Sequence, residues 1–194
     1  IDAVRRCTRG YECDYTAREK LKHIVSKDAF DIDGLGKKVI DQFWDLKLIK
    51  EPSDIFKIDY SKIKNLEGWG ELSINNLKGS IDKSKLIELD RFIFSIGVRH
   101  IGQENAKILA GFFKSISYFS KLFNKGYRKK ILENLIDLDG MGETQIESID
   151  IFFSNSTNIE IVKKLIDILQ IKDFKSQNKK GKFSNKNVMF TGGF

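Results

Sequence analysis

The sequence predicts an all-α fold, and three observations predict it. Four short glycine-bearing segments recur along the 194 residues, they recur at a nearly constant spacing, and the residues after each show a helical apolar pattern. The segments are Asp33-Gly34-Leu35-Gly36, Glu67-Gly68-Trp69-Gly70, Arg99-His100-Ile101-Gly102 and Asp139-Gly140-Met141-Gly142. Measured at the last glycine, they are separated by 34, 32 and 40 residues. Tetratricopeptide repeats have a similar period, but their signature residues are missing and the glycine segment takes their place.

The first turn is followed by Val39, Ile40, Phe43 and Trp44, and the second by Ile74, Leu77 and Ile81. The third is followed by Ala106, Leu109, Phe112 and Phe113, and the fourth by Ile146, Ile149, Phe152 and Phe153. Intervals of three and four place each set on one face of a helix. Leading helices are predicted through Leu86, Leu89, Phe92, Ile93 and Ile96 before the third turn, and through Ile131, Leu135 and Leu138 before the fourth. Each unit then reads helix, glycine turn, helix. One such pair cannot bury its apolar face alone, so the expected architecture is a tandem helix-hairpin-helix bundle with four hairpins over residues 25–170. After Leu169 the pattern stops. Six lysines (Lys172, Lys175, Lys179, Lys180, Lys182 and Lys186) face one acid, Asp173, so residues 171–185 are expected to be a flexible basic linker. Val188-Met189-Phe190-Thr191-Gly192-Gly193 then reads as a β-strand entering a turn. A start at Ile1 and a strand that stops at Phe194 predict a piece of a longer protein.

A hydrophobic fraction of 41% in a chain of this length supports a folded core. The net charge is +7 and the pI about 9.2. Such a balance suits a polyanionic partner bound with release of counterions, although a solvated basic surface has the same composition. Charge alone does not separate DNA from RNA or from an anionic membrane. No stretch reaches the ~18–20 apolar residues of a membrane span, and no signal peptide precedes Ile1. Two cysteines, Cys7 and Cys13, are too few for a disulfide framework, which makes a cytoplasmic protein the default expectation.

The glycine turns carry the chemistry. Each must reverse the chain and open a helix at once. Glycine permits φ > 0 and the close approach of another backbone. The free N–H groups of the turn and of the helix start converge, and with the helix dipole they form a site suited to a phosphate oxygen. Such contacts hold a nucleic-acid backbone and ignore base sequence. A single turn of this kind can equally be a helix C-cap followed by a loop; four with matched flanks favour the phosphate reading. Candidate binding residues are therefore Gly34, Gly36, Gly68, Gly70, Gly102, Gly140 and Gly142. The middle residues Leu35, Trp69, Ile101 and Met141 are expected to plug the turns into the core, with a groove-wedging Trp69 as the alternative. Lys37 and Lys38 follow the first turn, and Arg99 and His100 lie within the third; they add candidate charge-assisted contacts or are plain surface charges. Glu71 and Glu143 follow the second and fourth. An acid there favours the helix but repels a phosphate, so turns one and three are expected to bind more strongly.

Cys7 and Cys13 supply half of a tetrahedral zinc set or are free thiols. Asp2 and His23 are nearby donors that nothing marks. Neither His23 nor His100 has an acid or a nucleophile at a telling spacing.

With these residues in place, the chain resembles the bacterial NAD-dependent DNA ligases over nearly its whole length. The resemblance runs through Arg6-Cys7 to Cys13, Leu21-Lys22-His23-Ile24-Val25-Ser26 and Ala29-Phe30-Asp31-Ile32-Asp33-Gly34-Leu35-Gly36. It continues through Leu66-Glu67-Gly68-Trp69-Gly70, Phe94-Ser95-Ile96-Gly97-Val98-Arg99-His100-Ile101-Gly102, Leu138-Asp139-Gly140-Met141-Gly142 and Lys186-Asn187-Val188-Met189-Phe190-Thr191-Gly192. It implies that residues 1–24 hold the C-terminal half of a four-cysteine zinc finger and an entry helix, with Cys7 and Cys13 as its last two ligands. It implies likewise that residues 186–194 start a BRCT domain. The first two zinc ligands would precede Ile1, so this chain is expected to carry at most half a zinc site.

The family's reaction is implied in the same way. A lysine takes AMP from NAD with magnesium (or manganese) assisting, passes it to a 5′-phosphate at a nick, and the 3′-hydroxyl displaces it, as replication and repair require. That lysine lies in a Lys-x-Asp-Gly motif, and here Lys57-Ile58-Asp59 is followed by Tyr60. No catalytic residue is therefore expected in this chain, and no small-molecule substrate. Its implied partner is nicked double-stranded DNA, held by a monomer through the minor-groove side without sequence preference, in the bacterial cytoplasm and on the nucleoid. The competing readings are a free-standing tandem helix-hairpin-helix module, such as a Holliday-junction-binding subunit or a nuclease tail; a hairpin-bearing DNA glycosylase, for which Asp41, Asp45 or Asp54 would have to serve; and a purely protein-binding bundle.

Overall fold

The second helix of every hairpin forms where the apolar spacing places it. In the computed structural model, which describes Tyr11 and residues 13–175, α1 (Asp14–Ile24) and α2 (Lys37–Asp45) flank the first turn, and α3 (Glu71–Ser84) follows the second. A short strand β1 (Leu86–Glu88) leads into α4 (Leu89–Ser95); α5 (Gln103–Phe113) follows the third turn. Next come α6 (Ile116–Phe119), α7 (Lys125–Leu135), α8 (Glu143–Ser154) behind the fourth turn, α9 (Ser156–Ile168) and β2 (Gln170–Lys172). The apolar stripes end up inside: Ile40 and Phe43 of α2, Leu77 and Ile81 of α3, Ala106 and Leu109 of α5, Ile149 and Phe153 of α8 are all buried.

The hairpins pack in two pairs around one continuous apolar cluster. In the second pair the hub is Phe119 of α6. It is 1% exposed, and its ring lies 6.2 Å from Phe92 of α4, 5.2 Å from Phe113 of α5 and 5.6 Å from Phe153 of α8. Edge-to-face rings at these separations add attraction beyond their burial. Between the pairs, Arg91 of α4 donates from Nε to the Ala29 carbonyl (2.8 Å) and from Nη2 to the Lys27 carbonyl (2.6 Å). His23 of α1 donates from Nε2 to the Phe94 carbonyl (3.0 Å) and packs edge-on to its ring. On the α9 side, Lys164 donates to both carboxylate oxygens of Glu51 (3.0 Å each), so polar side chains on α1, α4 and α9 tie the first pair to the second. On the other flank, Lys20 of α1 lies over the rings of Tyr11 and Phe152, and burial holds its ammonium below the usual lysine range.

Three sequence expectations need correction. The second hairpin has no leading α-helix: short 3-10 turns at Pro52–Lys57 and Tyr60–Lys62 take its place. The cause is local. Pro52 starts the first, the Asp54 carboxylate accepts the N–H groups of Lys50 and Glu51, and Asp59 accepts that of Ser61, so side chains satisfy donors that an extended helix would use. Leu86 is not in a helix: it lies in β1 and is 51% exposed, while Ile87 turns inward. Finally, the start of the expected linker is structured. Gln170–Lys172 pairs in parallel with Leu86–Glu88, Lys172 bridges to Glu88 (2.8 Å), and the Phe174 N–H donates to the Lys114 carbonyl (2.8 Å). Three residues per strand leave too short a pattern to read. The expected BRCT strand over 186–194, and the linker beyond residue 175, lie outside the described residues.

Sequence reading also passed over Arg128. It is 6% exposed on α7; Nε donates to Asp150 (2.8 Å), Nη1 to the carbonyls of Leu122 (3.1 Å) and Phe153 (2.7 Å), and Nη2 to Ser154 Oγ (3.0 Å). It therefore closes the C-terminal end of α8 and ties it to α7. Arg128→Ala would leave those carbonyls buried without a donor, and is expected to cost about 3 kcal/mol. A lower urea midpoint with an unchanged slope is the expected measurement.

Candidate nucleic-acid interface

All four turns share one backbone design. A hydrogen bond closes each over four residues: Leu35 N–H to Ile32 O (3.3 Å), Trp69 to Leu66 (3.0 Å), Ile101 to Val98 (3.2 Å) and Met141 to Leu138 (3.0 Å). The third residue of each is left-handed: Gly34 at φ 85°, Gly68 at 82°, His100 at 60° and Gly140 at 86°. This is the geometry for which glycine is preferred. Gly36, Gly70, Gly102 and Gly142 behave differently. They are extended N-caps with φ between −70° and −105°, which any residue adopts. A methyl group added at Gly36, Gly70 or Gly102 would meet no atom within 4 Å. Nothing inside the molecule requires glycine there. What such a glycine leaves is an open approach to the first amides of a helix.

The plug residues behave as expected. Leu35, Ile101 and Met141 are buried. Trp69 is half-buried; its ring lies 5.3 Å from Phe43, and Nε1 donates to Gln42 Oε1 (3.3 Å), so it clamps turn two onto α2. Each turn is seated on the second helix of its partner hairpin. Turn one donates the Asp33 N–H to Ser80 Oγ on α3 (2.8 Å). Turn three reaches α8 through His100 Nδ1 and Ser148 Oγ (3.0 Å); because the serine hydroxyl donates to Thr144 O (2.8 Å), the imidazole is the donor in that bond. Turn four faces Ile108 of α5 across Gly140.

The charges differ between turns. Lys37 and Lys38 are exposed in the first turn of α2, and among the described residues neither is ion-paired. Arg99 and His100 are exposed in turn three, and Glu71 and Glu143 open α3 and α8 beside turns two and four. Cys13 is half-buried at the N-cap of α1, whereas Cys7 lies outside the described residues. Among the described residues no three His, Cys, Asp or Glu side chains gather as a metal site, and no helix is long and apolar enough to cross a membrane. Sequence reasoning missed the seats Gln42, Ser80 and Ser148, polar residues that each stand directly before a buried apolar residue of their helix (Phe43, Ile81 and Ile149). It also missed Gln145. The one available signal was a glutamine three residues after Gly142, the spacing of a capping box.

Residues 91–162, which contain turns three and four, match the helix-hairpin-helix motif. Across 98% of its length the chain is 52% identical to a protein named DNA ligase from Pelagibacter ubique, 42% identical to one from Wolbachia pipientis wMel and 38% identical to one from Rickettsia bellii. It is thus homologous to one stretch of bacterial DNA ligases, as the sequence motifs implied, and spans 28–29% of the length of these relatives.

The two glycine positions of a turn should separate experimentally. Gly140→Ala forces a side chain into left-handed backbone with Ile108 Cδ1 only 2.7 Å from the new carbon, and is expected to cost about 1–3 kcal/mol. Gly36→Ala should stay within about 1 kcal/mol, because its φ is ordinary and its surroundings open. Thermal denaturation of the two variants checks the contrast.

Proposed function

We propose that this chain is the duplex-holding segment of a bacterial NAD-dependent DNA ligase that seals 5′-phosphate/3′-hydroxyl nicks in replication and repair. The observation that carries the reading is the repeated open glycine at the start of α2, α3 and α5. Each leaves backbone N–H groups approachable at the positive end of a helix dipole, a site for a phosphate oxygen. Regularly spaced phosphate contacts of this kind suit a duplex and carry no sequence information. The +7 charge adds a salt-sensitive attraction, and the homologues' name, DNA ligase, supplies the reaction.

Gly34, Gly68 and Gly140 shape the turns; Gly36, Gly70 and Gly102 are the open approach points, and Gly142 is the corresponding glycine of the fourth turn; Lys37, Lys38, Arg99 and His100 add charge. The partner is nicked double-stranded DNA, met from the minor-groove side by a monomer in the cytoplasm. The catalytic work belongs to other parts of the parent enzyme. NAD supplies the adenylyl group and magnesium or manganese the charge neutralisation there, and this chain lacks the Lys-x-Asp-Gly motif that would take up AMP, so alone it is inactive. Cys13 at a helix N-terminus suits a thiolate donor, and with Cys7 it makes half of a tetrahedral zinc set. The chain offers zinc no more than that half.

Lys37→Glu/Lys38→Glu tests the reading by fluorescence anisotropy on a nicked duplex. Affinity is expected to fall at least tenfold, and the dependence of log K on log salt to flatten by about 0.9 for each phosphate that is no longer neutralised. Unchanged affinity and slope would remove the first turn from the interface.

A further inference from the structure

The four turns are not four equivalent grips. In turn four the Gln145 side chain folds back over the start of its own helix. Its Oε1 accepts the Gly142 N–H (3.2 Å), and its backbone N–H returns to the Gly142 carbonyl (3.1 Å). At turns two and three the residue at the same position also folds back, but as a donor to carbonyls. Ser73 Oγ donates to the Gly70 carbonyl (2.9 Å) and Asn105 Nδ2 to the His100 carbonyl (3.5 Å), so among the described residues no side chain accepts the N–H of Gly36, Gly70 or Gly102. The space beside the glycine shows the same difference. A methyl group at Gly142 would lie 3.1 Å from Gln145 Oε1, whereas at Gly36, Gly70 and Gly102 the space is open. A carboxamide oxygen is the neutral counterpart of a phosphate oxygen: it accepts the same amide hydrogen and screens the same helix end. Glu143, exposed next to it, has its counterpart in Glu71 behind turn two, so the carboxamide and not the acid sets turn four apart.

We propose that Gln145 is a built-in occupant of the fourth turn, so that the duplex is held by turns one, two and three while turn four serves as a buttress. This rests on the reading of the open turns as phosphate sites, and it sharpens that reading from a symmetric four-point grip to an asymmetric three-point one. The buttress role has its own anchor. Turn four belongs to the hairpin whose second helix, α8, carries Ser148, the acceptor for His100 Nδ1–H. The fourth hairpin therefore orients the non-glycine side chain that occupies the left-handed position of turn three. In the second pair, turn three makes the contact and the fourth hairpin positions it.

The test compares Gly36→Ala, Gly70→Ala, Gly102→Ala, Gly142→Ala and Gln145→Ala in the 194-residue chain, each checked for folding by circular dichroism, on a fluorescein-labelled duplex across a salt series. An added methyl at an open turn blocks the approach of a phosphate and should raise Kd by roughly tenfold. Gly142→Ala should leave Kd within about twofold, since no phosphate is displaced. Gln145→Ala should bind at least as tightly as the parent, because it removes the internal occupant. Loss of affinity in Gly142→Ala equal to that in Gly102→Ala would overturn the three-point grip, as would weakened binding by Gln145→Ala. Parent-like binding by all three open-turn variants would instead refute the phosphate sites themselves, and this inference with them.

Discussion

The structure depends on a residue held at positive φ two positions before each helix-capping glycine. That single backbone constraint lets the chain reverse within four residues and start a helix at once, so that the plug residue drops inward while the next glycine stays outside. Three turns meet the constraint with glycine, and the third meets it with His100. A left-handed non-glycine residue costs on the order of 1 kcal/mol, and the bond from His100 to Ser148 offsets it. Strain and tether occupy one residue, which places that side chain more firmly than an ordinary surface histidine.

From the turns the rest of the packing follows. A turn cannot bury its plug within its own hairpin, so it sits on the second helix of a partner. The contacts are chemically unlike: a backbone N–H to Ser80, an indole to Gln42, an imidazole to Ser148, and an isoleucine across Gly140. Three of the positions correspond, since Gln42, Ile108 and Ser148 each lie six residues after the capping glycine of their helix, while Ser80 lies one turn further along α3. The architecture tolerates any contact that fits there, which is why the seats differ while the turns repeat. Arg91 and His23 then join the two pairs through backbone carbonyls, acceptors that are present whatever the side chains.

Much of this was legible in the sequence, for physical reasons that differ by element. The helices behind the turns were readable because α2, α3, α5 and α8 each bury a stripe several turns long. The leading segments were less readable. Capping by Asp54 and Asp59 competes with helix in the second unit, and a shift of one residue decides whether Leu86 or Ile87 turns inward. The three-residue strands lie below any periodicity, and their partners are 84 residues apart. At the candidate interface, the repeated glycine turns and the inward plug residues were legible in advance. The distinction between the two glycines of a turn could not, since φ and the space beside a Cα are properties of the folded chain. Gln145 has the spacing of a cap, but only the folded chain shows which donor it takes.

The parallel pairing of β1 and β2 has a mechanical consequence. It joins the strand preceding α4 to the strand following α9, and the ion pair between Glu88 and Lys172 and the anchoring of Phe174 at Lys114 lie on the same path. A pull on the chain beyond residue 175 therefore loads this ladder along its length, in shear, where its hydrogen bonds share the force, instead of peeling α9 from its end. Tugging from whatever follows is absorbed at the clasp before it reaches the turns.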